Sequence, residues 1–246
     1  MEGSSGTIPA TLQAVITARL DTLDEDARRT LQLASVIGRS FDEPVLGAVA
    51  GDHAARLYAN ADAVTHYGAA IDAARRLGAA DELLARLYPN RGRALELSGR
   101  YDEAEENYEE MRAHAEASGD RAAELQAAMS LTTLLTTPTP KFDVADGRRA
   151  SQQAVTLARE LGDRRAESKA LWNLMNLNVY GGGDNDEAVE AGQRSLALAR
   201  ELDDREQVAF AQTDIWRPYT AIGDLAAARK SLDEARSTWQ IGRAHV

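Results

Sequence analysis

The stretch ARLYPNRGRALELSGRYDEAEENYEEM, residues 85–111, decides the fold. Ser98-Gly99-Arg100-Tyr101 is a turn signal at its centre, and Tyr101, Ala104, Tyr108 and Met111 follow at steps of 3, 4 and 3. Those steps put the four side chains on one face of a helix. Glu103, Glu105, Glu106, Glu109 and Glu110 take the other faces and read as solvated surface. The same steps recur at Leu225, Ala228, Leu232 and Ala235, after the turn signal Ile222-Gly223-Asp224-Leu225.

Outward from this stretch the chain repeats itself. RRLGAAD (75–81), AEASGDR (115–121), ARELGDR (158–164) and ARELDDR (199–205) share one pattern. Their equivalent residues Gly78, Gly119, Gly162 and Asp203 are 41, 43 and 41 residues apart. Gly suits a left-handed helix C-cap and the following Asp suits the N-cap of the next helix, so each is a tight helix–turn–helix junction. Small residues keep the same beat: Ala63, Ala104, Gly147, Ala188 and Ala228 are separated by 41, 43, 41 and 40 residues. Each sits early in the second helix of a pair, where a small side chain lets two backbones approach. Thr136-Thr137-Pro138-Thr139-Pro140 reads as a loop inserted at the solenoid edge, which accounts for the longer interval. The expected fold is all-α: a right-handed solenoid of about five antiparallel helix pairs, in which each pair covers its neighbour's apolar face.

These positions carry a family resemblance. Tyr88, Gly92, Leu95, Gly99, Tyr101, Ala104 and Tyr108 fall in register with the tetratricopeptide repeat. Trp172, Gly183 and Ala188 fit a later copy, where Asn176 and Gly192 replace the small and the aromatic residue. The period near 41, against about 34 for the usual repeat, resembles the longer repeats of large bacterial signalling ATPases. TIPATLQAVITARLDTLDEDARRTLQLASVIGRSF, residues 7–41, resembles the helical region that follows the ATPase core in STAND-type regulators. Those include adenylate cyclases with an ATPase-plus-repeat tail and large LuxR-type transcription factors. Read directly, the segment gives amphipathic helices over about 10–22 and 24–37, with Asp24 as N-cap. In the family a longer stretch precedes the first repeat, whereas here the repeat starts near Gly51-Asp52-His53. The expected organisation is 1–6 linker or scar, 7–50 an incomplete post-ATPase-like segment, 51–240 the repeat solenoid, and 241–246 a non-native tail. IGRAHV at 241–246 breaks the preceding helical pattern and equals one reading frame of a common sequencing adapter.

Composition narrows the function classes. Aromatics are 5% and Pro 6 residues in 246, while Ala, Leu, Arg and Glu dominate, which favours helix over sheet. Without Cys there is no disulfide, thiolate metal site or Cys nucleophile. No apolar run is long enough for a membrane span, and the N-terminus lacks the basic and apolar regions of a secretory signal, so the cytoplasm is the expected compartment. The net charge of −11 repels phosphate backbones and anionic lipid, so neither nucleic acid nor membrane is expected as a direct partner. The excess of Arg over Lys fits a GC-rich bacterial coding bias.

Chemistry-bearing motifs are missing. No Gly-Lys pair occurs, which removes the phosphate-binding loop, and neither G-x-S-x-G nor H-E-x-x-H is present. His53, His66, His114 and His245 have no ligand-spaced partners. Gly181–Asp186 lacks the sixth-position Gly of a calcium loop and reads as an inter-helix turn. No catalytic residue, cofactor or metal site is therefore expected. Trp172, Trp216 and Trp239 are expected to fill space between helices, with Pro218 kinking or ending the helix around Trp216.

What remains is a concave groove lined by the first helix of each pair. The resemblance places its lining at Arg86, Arg93 and Glu96, then Asn173, Leu177 and Tyr180, then Thr213, Arg217 and Thr220. Asn173, Asn176 and Asn178 are unusual in a helix interior; they either grip an extended peptide, or are exposed or make local helix contacts. The expected partner is a protein or peptide segment, including another domain of a parent signalling ATPase. An inducer-sensing solenoid or a free-standing adaptor are the rival expectations. An uncapped Leu225–Trp239 helix would also favour weak self-association.

Overall fold

A computed structural model describes residues 43–78 and 81–243, with side chains as far as Thr238. The helices expected over 10–22 and 24–37, and His245, lie outside the described residues. All regular structure among the described residues is α-helical. The chain divides into two compact units, one ending at Ala80 and one beginning at Asp81.

In the first unit α1 (Glu43–Arg56) packs along α2 (Asn60–Leu77). The seam is narrow because glycines face it: a Cβ on Gly47 would stand 2.8 Å from Ala70 Cβ, and one on Gly51 would stand 2.5 Å from the Tyr67 ring. Tyr67 donates its hydroxyl to Asp52 Oδ1 at 2.7 Å. The expected boundary at 50/51 thus falls inside α1. Gly51, near which the first repeat was expected to start, is a notch in mid-helix that seats an aromatic ring. Arg76 reaches back to Glu43 at 2.6 Å, closing the open end of the hairpin.

The second unit contains α3 (Asp81–Leu97), α4 (Tyr101–Ser118), α5 (Arg121–Thr136), α6 (Val144–Leu161), α7 (Arg164–Tyr180), α8 (Asn185–Glu201), α9 (Arg205–Asp214), α10 (Trp216–Ala221) and α11 (Leu225–Arg243). Successive helices pack on one another, and the first helices of the pairs also touch in series, α3 on α5, α5 on α7 and α7 on α9. That double adjacency makes the unit a helical solenoid. The junctions have the expected backbone: Gly119 and Gly162 are left-handed at φ 70° and 69°, and Asp203 holds the same region at φ 51°. In the first unit Gly78 ends α2 at φ 62°. The Asp at each following N-cap accepts backbone N–H groups: Asp120 from Ala122 and Ala123, Asp163 from Ala166, and Asp204 from Gln207. These bonds satisfy donors that a helix start leaves unpaired.

Ala104, Ala188 and Ala228 are buried on the second helices, as is Gly147. A continuous core of Leu125, Ala128, Ala154, Leu157, Ala158, Ala170, Leu171 and Leu198 joins α5 through α8. On the surface Arg121 pairs with Glu160, and Arg164 with Glu201, tying the start of a pair to its end. The loop from Thr137 to Asp143 is held by Asp143 N–H donating to Leu135 O at 3.1 Å. Lys141 Nζ also bridges Asp102 at 2.5 Å and Glu105 at 2.8 Å on α4. Pro218 breaks the last first-helix into α9 and α10, with buried Ile215 at the join. Pro89 leaves α3 continuous. The final helix runs to Arg243, three residues past the expected end of the fold at Gln240. Ile222, Leu225 and Leu232 stand exposed around its start.

Candidate functional site

The first helices α3, α5, α7 and α9 line a concave groove of about 960 Å³. Its path is oblique. It begins in the C-terminal half of α3 (Pro89, Arg93, Glu96), crosses the middle of α5 (Gln126, Met129, Thr133), and follows the N-terminal half of α7 (Arg165, Lys169, Trp172). It ends in the first turns of α9 (Asp204, Glu206, Phe210).

The floor is apolar and ordered from behind. Trp172 and Phe210 stack at 5.8 Å between centroids, tilted by 41°, with Met129 lining the same groove from α5. Trp172 donates its indole N–H to Asp214 Oδ2 at 3.0 Å. Asp214 Oδ1 accepts from Arg217 at 2.6 Å, and the Arg217 guanidinium lies over the rings of Tyr180 and Trp216 at 5.6 and 5.5 Å. The indole is therefore fixed in place by a carboxylate that is itself fixed, and the half-buried Trp172 lines the groove. Phe210 is 37% exposed beside it.

Charges edge this floor. Arg93 pairs with Glu96 at 2.9 Å, and Glu96 also accepts the Tyr108 hydroxyl at 2.6 Å. Burial, reinforced by the Glu96 carboxylate, pushes the Tyr108 phenol well above its ordinary range. Arg165 pairs with Asp204 at 3.2 Å. Asp163 is occupied as the cap of α7. Lys169 is exposed and has no ion-pair partner among the described residues.

The residues expected to line the groove divide. Arg93 and Glu96 do so, and Arg86 stands exposed on α3 outside it. Asn173 and Leu177 are fully buried, and this corrects their placement on the groove surface. Asn173 donates to Thr133 Oγ1 at 3.4 Å, while Leu177 packs near Gly147 of α6. Thr213 bonds the carbonyl of Ala209, and Thr220 that of Trp216. Tyr180 and Arg217 form the cation–π contact that backs Trp172 rather than lining the groove. Asn178 accepts from Arg148 of α6 at 2.6 Å, so Asn173 and Asn178 fit neither reading: both are buried and bond a neighbouring helix.

Sequence reasoning missed Gln126, Met129, Arg165, Lys169, Asp204 and Phe210. Apart from Arg86, it placed the lining from the middle to the end of each first helix, whereas the groove slides toward the helix starts as it advances. Large side chains at half-buried positions, Met129 and Trp172, were the available signal. Trp172 does pack against the core as expected, and it also faces the groove. Asp184 caps α8 by accepting from the N–H groups of Asp186 and Glu187, so Gly181–Asp184 is an inter-helix turn and Asn185 and Asp186 open α8.

No family model matches the chain, and no curated protein matches it. Among solved structures, the crystal structure of BtubC (BKLC) from P. vanneervenii is similar, with a TM-score of 0.70 at 18% sequence identity. The similarity covers 96% of this chain and 93% of that one. It is a likeness of fold, a helical repeat.

Proposed function

We propose that this chain is a protein-interaction module whose groove takes up an extended segment, from a partner protein or from another domain of a larger parent. The observation that carries this reading is the apolar floor of Met129, Trp172 and Phe210, left half-exposed along a strip that crosses four helices. Exposed aromatic surface held rigid by a second layer is the arrangement that gives binding hot spots, because little side-chain freedom remains to be lost on binding. The groove is open along its length, with Gln126, Arg165, Lys169 and Phe210 exposed, which suits an elongated guest better than an enclosed inducer.

A segment bound here would act as a regulator if it preferred one state of the parent, since a ligand shifts an equilibrium by its differential affinity. The parent as a STAND-type signalling ATPase rests on the resemblance of residues 7–41. The genomic locus tests it: an upstream phosphate-binding loop supports that parentage, and its absence leaves an adaptor. The binding reading is tested by selecting peptides from a displayed random library and measuring their affinity. Phe210→Ala and Trp172→Ala should each weaken the selected peptides at least about tenfold, or about 1.4 kcal/mol. Peptides that bind both variants as tightly as the parent chain would remove the groove from the account.

A further inference from the structure

The groove's ionic groups are unequal, and the inequality specifies a guest. Arg93 and Arg165 already hold carboxylates, Glu96 and Asp204. Glu96 is engaged twice, by Arg93 and by the Tyr108 hydroxyl, and Asp163 and Asp204 accept the backbone N–H groups that start α7 and α9. Glu206 is exposed in the first turn of α9, at the far end of the strip. Lys169 lies on α7 one turn before Trp172, and the groove residues at the equivalent positions of α5 and α9 are neutral, Gln126 and Phe210.

An ammonium group in this position is hydrated by default, and a carboxylate brought to it on an apolar floor gains more than one brought to an open surface. A guest that placed a cation there would face Lys169 and, four residues earlier on the same helix face, Arg165.

We infer that the segment accepted by this groove carries an acidic residue beside its apolar anchor, the carboxylate meeting Lys169 Nζ and the apolar side chain resting on Met129, Trp172 and Phe210. This rests on the groove being the binding surface. Lys169 then sets specificity, whereas the aromatic floor supplies most of the affinity, in keeping with the division between electrostatic selection and apolar burial at interfaces.

The test is a charge swap. One displayed random peptide library is selected in parallel on the unchanged chain and on Lys169→Glu. Lys169 is exposed, so the substitution leaves the core untouched, and Lys169→Met serves as a second variant that keeps the stem and removes the charge. The first pool should be enriched in Asp or Glu within two residues of a large apolar residue. Its peptides should lose about tenfold or more in affinity on Lys169→Glu, less on Lys169→Met, and should weaken as salt is raised. The second pool should turn to Lys or Arg. Two pools of the same charge pattern, both lost on Phe210→Ala, would overturn the role of Lys169 and leave the groove as a binding surface. Pools insensitive to Phe210→Ala would overturn both.

Discussion

The pair α3–α4 and the pair α7–α8 solve one packing problem in opposite ways. In α3–α4 the notch is on the first helix: Gly92 faces the buried Tyr108 of α4, and a Cβ on Gly92 would collide with that ring. In α7–α8 the equivalent first-helix position is Asn176, which is buried, and the notch has moved to Gly192 of the second helix. A Cβ there would stand 2.5 Å from Met175 Sδ and 2.9 Å from Ile215 Cδ1. The seam thus preserves fit rather than residue type. A helix pair needs one small residue opposite one large one, and either helix can supply it.

The two notches should not respond equally. Gly92→Ala drives a Cβ into a ring that is enclosed by packing and held by its bond to Glu96, and should cost about 2–3 kcal/mol in urea unfolding. Gly192→Ala meets the thioether of Met175 and the Ile215 side chain, which turn aside more readily than a ring, so its net cost should be about 1 kcal/mol smaller than that of Gly92→Ala. Equal costs at the two positions would break the comparison.

Asn173→Ala sharpens it from the other side. Because Asn173 is buried, the substitution should lower stability by about 1–2 kcal/mol, the range for removing a buried hydrogen-bonded group, and leave the affinity of groove-selected peptides within about twofold. A large affinity loss in a stably folded variant would return Asn173 to the groove. Tyr108 gives a pH test. Burial and then Glu96 raise its phenol above the ordinary value near 10, so the unfolded chain releases that proton first. The stability this confers is present below pH 10 and falls as the pH climbs beyond it, and Tyr108→Phe should remove that part of the fall. The smallest effect belongs to a junction. Asp203 holds φ 51° where Gly119 and Gly162 do the same work without a Cβ, so Asp203→Gly should raise stability by about 0.5 kcal/mol in the same urea measurement.

These cases show what the sequence discloses and what it withholds. The junctions were legible because a left-handed residue followed by an Asp cap is a local requirement, met within five residues each time. The buried small residues were legible because helix approach is set by their own side chains. The start of α1 was not, since nothing local marks Gly51 as a mid-helix notch until Tyr67 is seen against it. The groove was only half legible. Arg93 and Glu96 follow from the α3 register, but the oblique path that exchanges Asn173 and Leu177 for Lys169 and Trp172 comes from the progressive offset of four packed helices. No single repeat encodes that offset.

The central claim is that the Trp172 face receives a guest. Its most direct test follows the indole N–H resonance of Trp172, assigned with Trp172→Phe, as a library-selected peptide is titrated into the ¹⁵N-labelled chain. The account predicts a saturable shift of that resonance with the same midpoint as binding. Binding that saturates while the Trp172 resonance stays in place would contradict it.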